Sequence, residues 1–348
     1  MDITAILRTA AESTEGITID PIVTGYGDLK IPVLSIIMMG VASVLLLGAM
    51  VFGFLVIINR TDNWGTGLLA GIGSYLIFCY LIYMLLQLGL NTLPFTKETV
   101  QSNPEQFTSI MTILSGLLVC VAIFLALKYT FNQAMKRGKQ VTIGAPLAVG
   151  VGMFTAAALL NHEISTTVQY MAMCISINQM GFDAAVTATV QSMVSGGEYA
   201  LEEATKLAVD SILSVVNEPS LGFLMNALYY ISIGVLETAS AVLVYGYMNE
   251  KLEQKWIFVG FGGLMLSVIP NVLATLVGLP NAASVSMIVV IAAAVAFATI
   301  RLAKKYMPED VKSLGYNHRK SSGSGGFGGD RKDKTPPKMP HIVMPTDK

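Results

Sequence analysis

The chain has 348 residues, of which 53% are hydrophobic and 13% are charged, and its formal net charge is −1. A soluble domain carries about 25% charged residues because its surface must be hydrated. The composition therefore excludes a disordered chain and a coiled coil, and the lack of a basic excess excludes a nucleic-acid-binding protein. It predicts a polytopic protein whose main partner is the lipid bilayer.

The first 32 residues differ in composition from the rest of the chain. They contain five acidic residues and no apolar stretch. A secretory signal peptide needs such a stretch behind a basic start. We therefore expect residues 1–32 to form an external segment without a cleavable signal.

Seven apolar stretches come after this segment, each long enough to be a transmembrane helix of about 20 residues. They predict an all-α, seven-helix transmembrane bundle over residues 33–305. The fourth stretch loses its apolar character at Leu160, where a polar band over 161–169 begins. It is either one long helix that leaves the membrane or a helix followed by an interfacial segment. The seven stretches are Val33–Ile58, Gly67–Leu90, Phe107–Tyr129, Ile143 to beyond Leu160, Leu221–Met248, Trp256–Leu279 and Ala282–Leu302.

The basic residues between these stretches predict the orientation of the bundle. Cytoplasmic loops carry an excess of lysine and arginine. Here the loops on one side of the predicted bundle contain more lysine and arginine than the loops on the other side. We therefore expect the N-terminus outside and the C-terminus inside, in a multi-pass protein of the cell membrane. The predicted inner residues are Arg60, Lys128, Lys136, Arg137, Lys139, Lys251, Lys255, Arg301, Lys304 and Lys305, and the outer ones are Arg8, Lys30, Lys97 and Lys206.

Two further segments lie outside the predicted spans. Residues 181–219 have helical spacing interrupted at 195–197, which predicts two short external helices. They either cap the bundle or form a lid that docks a partner. Residues 306–348 combine a Gly/Ser-rich linker with a Pro-rich stretch, a composition typical of a disordered cytoplasmic tail. Its basic residues either contact anionic lipid or dock a soluble partner.

Glu237 is the acidic residue deepest within a predicted span. It lies sixteen residues into the fifth stretch, roughly 24 Å from the outer end. An ionisable group at such depth faces the bundle interior and marks a functional site by default. It is either a neutral group that links helices or a site for a proton, a cation or a substrate. Asn226 and Asn271 are the nearby amide candidates for binding.

His162 and Glu163 form a second pair, at the predicted outer boundary of the fourth span. Together with Glu237 they are the catalytic candidates. The pair matches half of a zinc-binding HExxH pattern, but Thr166 occupies the position of the second histidine. We therefore expect no metal site. No phosphate-binding loop or serine-hydrolase elbow occurs, and no cofactor is expected.

Small and polar residues in four spans occur in a recognisable order. The third span carries Val119, Cys120 and Ile123, and the fourth carries Gly150-Val151-Gly152-Met153 with Ala157 four residues later. The fifth span contains Glu237-Thr238, and the sixth contains Ser267 and Asn271. This layout resembles the YhfC family of glutamic-type intramembrane proteases, related to the CAAX-protease and bacteriocin-processing superfamily. The resemblance covers roughly residues 33–305.

The resemblance also predicts what is missing. The family carries paired glutamates and an arginine where this chain has Val119, Cys120 and Ile123, and a histidine and a glutamate where it has Met153 and Ala157. The resemblance thus implies a catalytically inactive relative that binds a membrane helix or a lipid as adaptor, chaperone or regulator. Gly150 and Gly152 would line its groove. Two alternatives stay open: a small-solute or proton-coupled transporter that uses Glu237, and an active protease with a remodelled site.

Overall fold

The computed structural model describes residues 29–60, 64–92, 103–138, 140–160, 163–195 and 200–314, and it contains helices and no strand in these ranges. We number the helices in chain order. They are α1 Val33–Arg60, α2 Trp64–Ser74 with Tyr75–Ile82 and Tyr83–Thr92, α3 Pro104–Lys136, α4 Gly144–Leu160, α5 Glu163–Met180, α6 Phe182–Ser195, α7 Leu201–Asn217, α8 Ser220–Met248, α9 Lys255–Val277, α10 Asn281–Tyr306 and α11 Pro308–Ser313.

Six of these helices, namely α1, α2, α3, α8, α9 and α10, are long and apolar enough to cross a membrane. They coincide with six of the seven predicted spans and indicate an all-helical, multi-pass membrane protein. The remaining predicted span corresponds to α4, which is apolar but has only 17 residues. At a rise of 1.5 Å per residue, α4 is about 25 Å long.

Local signals in the sequence explain where several helices begin and end. Pro104 and Glu105 occupy the first turn of α3, where a missing N–H costs nothing and an acidic group favours the helix dipole. Gly278 ends α9 in the left-handed conformation, with φ of 71°, which a residue without a Cβ adopts at no steric cost. Pro280 immediately precedes α10.

Helix α4 lies at the centre of the bundle. Most of its side chains are buried around its whole circumference, as expected for an apolar helix without a polar face. A Cβ at Gly67 of α2 would lie 2.7 Å from the Ala145 carbonyl oxygen, and one at Gly152 would meet the carbonyl oxygen of Leu68. Small residues allow such close packing of helix backbones in membranes, and Gly152 does so here. At Gly73 nothing lies within 4 Å.

Helix α5 continues the path of α4 along α1. Gly53 of α1 faces Val151 of α4, whereas Gly40 faces Met171 of α5. Beyond the start of α1, Asn178 of α5 hydrogen-bonds both the N–H and the carbonyl of Ile31. Together, α4 and α5 therefore run antiparallel to α1 over its whole length.

Helix α6 packs against α5, and α7 packs against α6. Their buried side chains belong to the same apolar cluster as Met39 of α1. Both helices lie within the predicted insertion at 181–219, and the predicted interruption at Gly196 and Gly197 lies outside the described residues. The buried side chains of α7 recur every three or four residues, which explains why this helix presents one apolar face. Those side chains are Ala204, Ala208, Ile212 and Val215.

The opposite end of the bundle is closed by α11. Met307 is 1% exposed, and Lys251 forms an ion pair of 2.6 Å with Asp310. The predicted disordered tail begins at residue 306, but α10 ends at Tyr306 and α11 follows at Pro308–Ser313. The first residues of the predicted tail are therefore helical. Residues 315–348 of that tail and residues 1–28 of the predicted external segment lie outside the described part of the chain.

Candidate functional site: a buried acid beside an aromatic cavity

Glu237 is buried in the middle of the bundle. It belongs to α8 and is 1% exposed. Neither carboxyl oxygen has a hydrogen-bond partner among the described residues. An ionised carboxylate without a partner is expensive to bury, so a proton or a cation at this position would be stabilising.

A cavity of about 490 Å³ borders Glu237, and we call it the Glu237 cavity. It lies between α2, α3, α4 and α8. Its volume falls within the range of roughly 300–1,000 Å³ that is typical of small-molecule sites. The lining residues are Tyr75, Cys79, Tyr80, Tyr83, Met84, Gln87, Ser115, Val119, Ala157, Tyr229, Tyr230, Ile233 and Glu237.

Five tyrosines make this cavity aromatic. Three come from α2, whose middle turns, Tyr75–Ile82, are π-helical. A π-helical stretch is rare and is frequent at functional sites. The other two, Tyr229 and Tyr230, pack edge to face with ring centroids 5.2 Å apart. Aromatic faces attract cations, so the tyrosine walls and the Glu237 carboxylate both favour a positively charged ligand.

The cavity is most exposed toward the C-terminal end of α2. Tyr80, Met84 and Gln87 are exposed, whereas Tyr75 and Glu237 are buried. Tyr229 and Glu237 are eight residues apart on α8, a separation of about 12 Å along the helix axis. The carboxyl group therefore lies at the deep end of the cavity.

The predicted amide candidates lie beside this cavity rather than in it. Asn271 of α9 accepts a hydrogen bond of 3.2 Å from Ser284 of α10 and donates one of 3.4 Å to the Tyr229 hydroxyl. Asn226 accepts a weak one of 3.5 Å from Asn281. Asn271 thus links α9 and α10 to a tyrosine of the cavity wall.

The positions singled out by the family resemblance divide into two groups. Val119 and Ala157 line the same cavity as Glu237. Cys120, Ile123 and Met153 are buried in the apolar cluster around it.

The two predicted groove glycines serve helix packing. Gly150 faces Thr238, and Gly152 faces the backbone of Leu68, each too closely for a side chain. Neither glycine belongs to the wall of the Glu237 cavity.

The second predicted pair is not joined to this site by the described structure. His162 lies outside the described residues, and Glu163 is the first residue of α5, with its side chain outside the described part. Among the residues searched, no group of three His, Cys, Asp or Glu side chains could hold a metal ion.

Sequence reasoning missed the tyrosines. Interfacial tyrosines are common at span ends, but Tyr75 and Tyr80 lie in the middle of α2. A polar aromatic residue so far from the ends of a span is the signal that could have identified them.

Comparisons with protein-family models, curated proteins and solved structures find no match to this chain, so the resemblance to the YhfC family stays a prediction.

Proposed function

We propose that the protein is a transporter of the cell membrane that binds a small organic cation at Glu237. The observation that carries this proposal is the unpaired, buried carboxyl group at the deep end of a tyrosine-lined cavity. A carboxylate supplies the opposite charge, and aromatic faces contribute about 2 kcal/mol or more when a cation is desolvated. An ammonium compound fits both features.

The helix geometry is suitable for movement as well as for binding. Transporters place their sites at interrupted helices near the middle of the membrane. In this chain the π-helical turns of α2 contribute Tyr75, Cys79 and Tyr80 to the cavity. The proposal therefore has two parts, binding of the cation at Glu237 and its transport across the membrane, and each has its own test.

We infer seven crossings with the N-terminus outside. The support for the seventh is the combined path of α4 and α5, which accompanies α1 from Gly53 to Ile31. The support for the direction is the excess of lysine and arginine in the loops and helix ends on the side of the bundle where α1 ends. In this orientation the exposed part of the Glu237 cavity faces the outside.

Binding is tested with the purified protein and a set of primary, tertiary and quaternary ammonium compounds, each beside a neutral isostere. We expect saturable binding of at least one cation and none of its isostere. Glu237→Gln should abolish this binding, while Glu105→Gln, at an exposed position of α3, should leave it unchanged. Equal binding by the parent and Glu237→Gln would overturn the proposal.

Transport is tested in reconstituted liposomes with the compound that binds. We expect uptake that depends on Glu237 and is unaffected by Glu105→Gln. Binding without any flux would retain the site and reject the transporter.

A second candidate function is an inactive relative of intramembrane proteases that holds a membrane helix or a lipid. It is favoured by one separate observation: Val119, Ala157 and Glu237, three positions of the resemblance, meet at one cavity. General-base hydrolysis needs a titratable group within reach of water, and Val119 and Ala157 supply none. Crosslinking in native membranes tests this role, and the absence of a recovered membrane protein or lipid would count against it.

A further inference from the structure

A second cavity, of about 580 Å³, lies on another face of α8, and we call it the lateral cleft. Helices α1 and α10 form its walls, and α4 and α8 form its floor. Phe52 and Ile300 on the two walls are exposed, so the cleft opens sideways, where the hydrocarbon of the membrane would lie. The lateral cleft shares no lining residue with the Glu237 cavity, so what binds in it is independent of what binds at Glu237.

The lining of the lateral cleft is apolar apart from three residues, Thr238, Thr299 and Lys304. The Thr238 hydroxyl already donates a hydrogen bond of 2.8 Å to the Gly234 carbonyl oxygen. The Thr299 hydroxyl is buried and has no partner among the described residues. Because the Thr299 oxygen has no exposed surface, an occupant of the cleft meets a surface that is apolar except at Lys304.

Lys304 gives one end of the cleft a positive charge. Arg60 lies at the same end, because its guanidinium donates a hydrogen bond of 3.1 Å to the carbonyl oxygen of Leu314, which lines the cleft. The two acids closest in sequence, Glu309 and Asp310, are not part of the lining, and Asp310 is paired with Lys251. Basic pockets between transmembrane helices bind anionic lipid headgroups.

The dimensions of the cleft match one leaflet of a bilayer. On α8 it extends from Ile231 to Val242, which is about 16 Å along the axis. Half of the hydrocarbon core is about 15 Å thick.

We propose that the lateral cleft holds one acyl chain of an anionic phospholipid. The headgroup phosphate pairs with Lys304, and the chain lies along the apolar lining. The charge at one end distinguishes this occupant from an apolar helix, which would leave Lys304 without a partner.

Headgroup preference of the unmodified protein is the first test. The protein is reconstituted in bilayers of phosphatidylglycerol and phosphatidylcholine in equal amounts, extracted gently and examined by native mass spectrometry. We expect phosphatidylglycerol to be retained preferentially. Equal retention of both lipids would overturn the proposal, and so would a second copy or another polypeptide in place of the lipid.

Matched variants then locate the site. Lys304→Gln should lower the preference for phosphatidylglycerol about fivefold, the effect of one basic residue near an anionic surface. Lys305→Gln should leave it unchanged, because Lys305 lies over the Tyr306 ring and does not line the cleft. Identical effects of the two substitutions would reject the assignment of Lys304.

Two bulky substitutions test the site without changing any charge. Ala296→Phe fills the cleft and should abolish lipid retention. Ala293→Phe, at an exposed position of the same helix outside the lining, should retain it. Retention by Ala296→Phe, in protein with the melting temperature of the parent, would place the lipid elsewhere and overturn the proposal.

Discussion

Asn178 and Ile31 are 147 residues apart in sequence and exchange two hydrogen bonds. The Ile31 N–H donates to the Asn178 side-chain oxygen over 2.8 Å, and the Asn178 amide donates to the Ile31 carbonyl over 3.0 Å. One side chain thus satisfies both backbone groups of a residue that lies just before α1. Because Ile31 is buried, this pair attaches the start of α1 to α5.

Asn178→Ala should therefore destabilise the protein. The substitution leaves the N–H and the carbonyl of Ile31 without these partners, at a cost of about 1–3 kcal/mol. The loss is measured by chemical or thermal unfolding of the purified protein. Gln179→Ala, at the adjacent exposed position, should change stability by less than about 0.5 kcal/mol. Equal stability of the two variants would contradict the role of Asn178.

Gly152→Ala should destabilise the contact between α2 and α4. The added Cβ meets the Leu68 carbonyl oxygen, and a backbone atom cannot give way as a flexible side chain does. We expect a cost of about 1–3 kcal/mol, read from the melting temperature. Gly73→Ala is the control, since nothing lies within 4 Å of its Cβ. It should be neutral or stabilising by up to about 1 kcal/mol.

Tyr83→Leu should weaken binding of the organic cation about tenfold, because a desolvated aromatic ring attracts a cation. Tyr83→Phe keeps the ring and should retain the affinity. The two variants are compared by titration with the same ammonium compound. If Phe and Leu have equal effects, the hydroxyl group rather than the ring is responsible.

Labelling of single cysteines should show that α7 and the loop between α8 and α9 lie on opposite sides of the membrane. In a cysteine-free background, an impermeant maleimide applied to intact cells should label Glu203→Cys on α7 but not Glu253→Cys between α8 and α9. Both positions are exposed, so the difference reports the side and not burial. Labelling of both residues from outside would contradict the predicted orientation.

Hydrophobic length was sufficient to predict most of the helices. Six predicted spans coincide with helices whose ends lie within seven residues of the predicted ends, as those of α10 do at Asn281–Tyr306. The burial of Glu237 was equally predictable, because an acid in the middle of a span faces the bundle interior. Both features can be read from a single stretch of sequence, because neither depends on how one helix packs against another.

The cavity could not be predicted in the same way. Its wall depends on how Tyr75 and Tyr83 of α2 are rotated toward Tyr229 of α8, and the π-helical turns change that rotation along α2. No signal in the sequence marks those turns. The end of α4 at Leu160 coincides with the predicted loss of apolar character there, because that boundary depends on local composition alone.

The close contact between α2 and α4 has a mechanical consequence. Each helix meets the backbone of the other at Gly67 and Gly152, so a small slide of either one forces atoms into overlap. At Gly116 of α3, in contrast, the neighbouring atoms belong to the side chains of Val268 and Met265, which can change rotamer. Because α2 and α4 both line the Glu237 cavity, their backbone contact fixes the relative position of two of its walls.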